Sequence, residues 1–147
     1  MLVQGAEIPQ VIDVKLVPPR PRPETIQRRR LRRLLDASAS ARVTLLCAPA
    51  GYGKTTALAD WFGTVGPQRA WISLGREDND ARRLCAHVVA ALDQLWPAAT
   101  WPAQQALRGG SDLVETVVPL IADAIARELA PSGGHVPSVG VGVGRTE

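Results

Sequence analysis

Residues 48–55, APAGYGKT, constrain this chain more than any other stretch. They follow a short β-prone apolar run, RVTLLCA at 42–48, and lead into a stretch from Lys54 to Phe62 that reads as a helix closed by Gly63 and Gly66. Apart from Ala48 in the first position, the spacing is that of the glycine-rich loop G-x-x-x-x-G-K-[ST]. That position must be small so that the chain can leave a strand, and alanine serves. Gly51 and Gly53 have no Cβ, so the backbone can reach positive φ and approach a bound group closely. Successive amides then form an anion nest, and the start of a helix adds its positive end. Phosphate is the group that such a loop holds.

Roles follow along the loop. Ala48, Pro49, Ala50, Gly51, Tyr52 and Gly53 form its backbone wall. Lys54 is placed to reach the β- and γ-phosphates, the Thr55 hydroxyl to bind Mg²⁺, and Thr56 to contact the α-phosphate region. Lys15 and Lys54 are the two lysines of an arginine-rich chain, which makes a lysine inside a glycine loop more telling. No Asn-Lys-x-Asp segment for guanine is present, and Asn79 is the one asparagine. The expected nucleotide is therefore ATP, held with Mg²⁺. Hydrolysis asks for a second anchor on Mg²⁺, an Asp ending another apolar strand, and an oriented water. No apolar run here ends in paired acids, so no catalytic residue is assigned.

The rest of the chain reads as follows. Residues 1–23 carry Pro9, Pro18, Pro19, Pro21 and Pro23, which predicts an extended arm. A helical pattern runs from Glu24 to Asp36, with Ile26, Leu31, Leu34 and Leu35 on one face. RAWISL, 69–74, predicts a second strand. Residues 80–96 predict a helix capped by Asn79 or Asp80. Pro97 and Pro102 predict a loop running to Gly110, and a last helix is expected within 112–130, starting at Pro119. Residues 131–147, rich in Gly and Val, predict no packed element. Strand–helix–strand–helix order predicts an α/β fold: a partial phosphate-loop NTPase domain over 24–130, with a short parallel sheet flanked by helices.

Charge and cysteines narrow the class. The net charge is +3, with eight Lys/Arg against three Asp/Glu in residues 1–33, so +5 lies there and −2 in the remainder. The run RPRPETIQRRRLRR, 20–33, offers cations to nucleic acid phosphate, but it has no interleaved aromatic residue for stacking. A solvated helix face, or one docking against another domain, explains it better. Cys47 and Cys85 sit in separate apolar runs and read as small buried hydrophobes. His87 reads as structural, and Trp61, Trp71, Trp96 and Trp101 as core or core edge. The acidic run EDND, 77–80, reads as a turn and helix cap. With no leader-like N-terminus and no long apolar run, the expectation is a soluble, cytoplasmic protein without a membrane partner.

Three blocks in order, KLVPPRPRPETIQRRRLRRLL, VTLLCAPAGYGKTTALADW and AWISLGREDNDARRLCAHVVAAL, resemble the N-terminal region of the large ATP-binding LuxR-type transcriptional regulators. These are STAND-class NTPases that include the activator of the maltose regulon. The resemblance covers residues 15–96 and thins toward Leu129. It implies an ATP-binding domain that switches between resting and self-associating states. It carries the phosphate-loop role to Ala48–Thr56 and places Arg28 and Arg30, in the helix before the loop, near adenine. Trp71, Ser73 and Leu74 match the family's second strand, while Gly75 and Arg76 replace an acidic pair. HVPSVGVGVGRTE stands where the family has a strand ending in paired aspartates, and no helix-turn-helix follows. The expectation is an N-terminal fragment that holds ATP without efficient hydrolysis and reads no DNA sequence. The alternatives are a small phosphate-loop ATPase or kinase using another acid such as Asp78, a non-functional truncated product, and an arginine-rich nucleic-acid binder.

Overall fold

The computed structural model describes residues 10–20, 26, 28–38, 41, 43–64 and 69–129. The expected tail at 131–147 and most of the N-terminal arm lie outside them. Among the described residues there are five α-helices: α1 Arg29–Ala37, α2 Lys54–Phe62, α3 Ala81–Asp93, α4 Pro97–Arg108 and α5 Val118–Glu128. Two 3₁₀ turns, Asp13–Leu16 and Arg76–Asn79, and a π-helical turn, Leu113–Val117, complete the regular structure.

The α/β expectation is corrected. Among the described residues there is no strand, so the short parallel sheet is not formed. Residues 43–49 carry no regular structure, and they have no backbone partner for a ladder among the described residues. Val43 and Leu45 stand 83% exposed, the reverse of a buried strand. Residues 70–72 are buried, yet the backbone bond of their segment runs from Ser73 N–H to the Lys15 carbonyl at 2.8 Å, at a 3₁₀ turn. A sheet needs a neighbour that exchanges bonds along its length. From Arg76 to Glu128 the chain is helical apart from short links, so no such neighbour arrives among the described residues.

The helices carry most of the core. Asp80 caps α3, its carboxylate accepting from Arg83 N–H at 2.8 Å. The buried residues of α3 are Ala86, His87, Val89, Ala91 and Leu92. Of these, Ala86 and Val89 meet Ala103 and Leu107 of α4 with Val117, and Ala91 and Leu92 meet Leu16, Ala70, Ile72 and Trp96. Burying a leucine such as Leu92 is worth about 2 kcal/mol.

The loop expected at 97–110 is instead α4. Pro97 occupies the first turn, where a missing N–H costs nothing. Pro102 removes one bond, to the carbonyl of exposed Ala98, and burial of Thr100, Ala103 and Leu107 at helical spacing offsets that loss. Past its C-cap Gly109 the helix is closed by Gly110, φ +72°, with Gly110 N–H on Leu107 O and Ser111 N–H on Ala106 O. Arg82 of α3 reaches over this end, donating to Leu107 O at 3.2 Å and Ser111 O at 2.8 Å. Asp93 fastens the other end, accepting from Thr100 Oγ1 at 2.7 Å and Gln104 Nε2 at 2.6 Å.

The last helix lies where the sequence placed it, with Pro119 in its first turn. α1 packs on α2, and Phe62 of α2 meets Trp71 edge-on, ring centroids 5.5 Å apart. On α1, Leu35 is buried, whereas Leu34 is 60% exposed and Ile26 84%, so the expected four-residue apolar face narrows. Trp71 and Trp96 are core residues, but Trp101 is 56% exposed. Cys47 is exposed, not buried, because its segment lacks a covering neighbour.

Candidate functional site

The loop before α2 has an unusual backbone. Gly51 and Gly53 lie at φ +79° and +72°, and no non-glycine residue among those described has positive φ. A side chain in this region costs about 1–2 kcal/mol, so glycine is what permits the path. Gly53 is the N-cap of α2 and offers no side-chain cap. The first bond of the helix, Ala57 N–H to Gly53 O, comes at 2.9 Å. The amides of Lys54, Thr55 and Thr56 precede it and have no intrahelical acceptor. Lys54 folds across the loop, donating from Nζ to Ala48 O at 2.5 Å and Pro49 O at 2.8 Å. A cation, three amides without an intrahelical acceptor and two left-handed glycines therefore sit within nine residues.

A cavity of about 310 Å³ opens beside this loop, between α1 and α2. Its apolar wall is Ile26, Leu31, Leu35, Ala57 and Trp61, and its polar groups are Arg28, Arg32, Asp60, Gly53 and Thr56. Arg28 is brought to the loop: a Cβ built on Gly53 would lie 3.7 Å from its Nη2. Arg30 is not on the cavity and is exposed. Tyr52 is 60% exposed and Thr55 half-buried. Trp61 is held in place from both sides, donating its indole N–H to Asp36 at 2.8 Å and carrying the Arg69 guanidinium 4.6 Å from its ring centre. The sequence reading missed Arg32, Asp60 and Trp61. Arg32 and Asp60 repeat Arg28 and Thr56 at four residues, the spacing that shares a helix face.

The donor set fits a phosphate. For a divalent cation the loop supplies the Thr55 hydroxyl, and no group of three or more His, Cys, Asp or Glu among the described residues is placed to hold a metal.

Asp78, the acid considered for catalysis, is committed elsewhere. Its side chain is 2% exposed, and its Oδ2 accepts from Lys15 Nζ at 2.5 Å and Gly75 N–H at 2.7 Å. Glu77 pairs with the same lysine at 2.5 Å. Burial pushes the Asp78 carboxyl up, but the Gly75 amide and Lys15 outweigh it and hold the group below its ordinary range. Burial likewise pulls Lys15 down, and its two carboxylates raise it above the usual lysine value. The expectation of a turn at 77–80 and a cap at Asp80 holds, while the ion pair across 63 residues had no local sequence signal.

No helix among the described residues is long and apolar enough to cross a membrane. No family model matches the chain, and no solved structure does. The chain is 40% identical over 68 residues to the HTH-type transcriptional regulator MalT of Yersinia pestis and to that of Yersinia pseudotuberculosis. It is 36% identical over 70 residues to MalT of Cronobacter sakazakii. These matches take in 46% and 48% of this chain, which spans 7% to 8% of the relatives' length. Part of the chain is therefore similar to part of a transcriptional regulator.

Proposed function

We propose that the chain is an ATP-holding segment of a LuxR-type transcriptional regulator of the MalT kind, with the loop Ala48–Thr56 as its phosphate cradle. The observation that carries this reading is Lys54 lying across a loop of two left-handed glycines at the uncapped start of α2. Phosphate oxygens would take the amides at that start and draw Lys54 Nζ from the two carbonyls, exchanging neutral acceptors for charged ones. Thr56 lies on the cavity together with Arg28. Mg²⁺, held by Thr55 and the phosphates, would supply charge neutralisation.

Turnover is not part of the proposal. Phosphoryl transfer needs an oriented water and a cation held from two sides. Asp78, on which the kinase or ATPase reading rests, has its Oδ2 already taken by Lys15 and Gly75. Isothermal titration with ATP and Mg²⁺ tests the reading. Binding by the wild type and its loss in Lys54→Ala, with unchanged circular dichroism, is the expected result. Equal binding by both proteins refutes it.

A further inference from the structure

Residues 10–17 lie over the core as a strap, and one end of it is held by a histidine in a defined state. Ile12 N–H donates to His87 Nε2 at 3.3 Å. Nε2 is therefore an acceptor, which puts the ring proton on Nδ1. Nδ1 lies 3.1 Å from the Arg83 carbonyl, its hydrogen-bond acceptor, and 3.2 Å from Asp78 Oδ1. His87 is fully buried. Asp78 Oδ1 is buried as well and has no hydrogen-bond donor in this arrangement. The other attachments of the strap are Lys15 on Asp78 and Glu77, the Lys15 carbonyl on Ser73 N–H, and buried Leu16.

We infer that the Ile12 end of this strap is a proton-operated latch: fastened while His87 is neutral, released when the ring takes a second proton. A protonated ring carries N–H on both nitrogens. Its Nδ1–H can turn to the waiting Asp78 Oδ1, a charge-assisted contact. Its Nε2–H then meets Ile12 N–H donor to donor, and the bond at Ile12 cannot survive. Release uncovers Val11, which packs against both halves of the core.

Lys15 faces the ring through Asp78, and Glu77 through Lys15. Asp13 of the strap and Arg76 of the Arg76–Asn79 turn are exposed, and on its own helix Arg82, Arg83 and Asp93 are half-buried. The charged side chains of the neighbouring elements, Arg108 on α4, Glu115 on the π turn and Asp123, Arg127 and Glu128 on α5, are exposed.

Hydrogen exchange on the full chain tests the latch, read at the Ile12 amide from pH 8 to 5, the span in which histidines titrate. Rates are divided by the intrinsic chemical rate at each pH. One linked proton makes protection fall about tenfold per pH unit on the way down to the midpoint and level off below it. His87→Gln keeps an acceptor for Ile12 and cannot titrate, so its protection is expected to stay flat. Flat protection in the wild type, or the same fall in His87→Gln, overturns the inference. Should the variant not fold, the wild-type imidazole nitrogens decide it by NMR. An unprotonated Nε2 at pH 8, titrating with the same midpoint as the Ile12 amide, supports the latch. A protonated Nε2 at pH 8, or two distinct midpoints, overturns it.

Discussion

Asp78→Ala is the substitution with the largest consequence outside the apolar core. It removes the acceptor of Lys15 Nζ and of Gly75 N–H at once. Deleting one partner of a buried ion pair costs about 3–5 kcal/mol when the other charge is left stranded. Lys15 is not fully stranded: it retains Glu77, and its side chain is 12% exposed. Its share therefore falls to about 2 kcal/mol, below that range. The orphaned Gly75 amide adds about 1 kcal/mol. A loss of about 3 kcal/mol lowers the melting temperature of a chain this size by about 10 °C. Urea denaturation followed by circular dichroism measures it, with an unchanged m-value showing that the unfolded state is the same. Lys15→Met added to Asp78→Ala is expected to recover part of the loss, because the uncompensated cation is gone. A midpoint shift worth less than about 1 kcal/mol would show that the pair is not the anchor described here.

The same group fixes the acid side of the stability profile. The Asp78 carboxyl is held below its ordinary value in the folded chain, so its contribution is present above the unfolded value of about 4 and is lost as pH falls through the folded one. Stability of the wild type should therefore decline on acidification below about pH 4 more steeply than that of Asp78→Asn. Asp80→Ala removes the α3 cap and is expected to cost about 1 kcal/mol in the same denaturation assay. Pro102→Ala restores a donor opposite Ala98 O and is expected to raise the melting temperature, by up to about 3 kcal/mol of stability; a fall would mean that the ring packs where a methyl cannot.

Local chemistry was legible in the sequence, and pairing between distant segments was not. The bounds of α2 follow from a glycine on each side, and the start of α3 from the Asp80 cap. The two left-handed glycines stand where the loop pattern puts them. Arg28 stands beside the loop, and Arg30 does not line the cavity. The strands failed for a physical reason: VTLLC and AWISL have β propensity, but propensity becomes a strand only beside another strand. α4 was hidden by its prolines, whose cost the buried Thr100, Ala103 and Leu107 offset. Lys15 pairs with Asp78 across 63 residues and Ile12 with His87 across 75, and nothing within a window of either partner announces the other.

The central claim, that Ala48–Thr56 is a phosphate cradle, is tested most directly at its own amides. A ¹⁵N-labelled chain titrated with ATP and Mg²⁺ should show saturable shifts at Gly51, Gly53, Lys54, Thr55 and Thr56, with Arg28 following and Arg30 unmoved. The Lys54→Ala protein should show none of them. Shifts that gather instead on the exposed arginines of α1 and fade with added salt would contradict the cradle and mark the binding as that of a polycation for a polyanion.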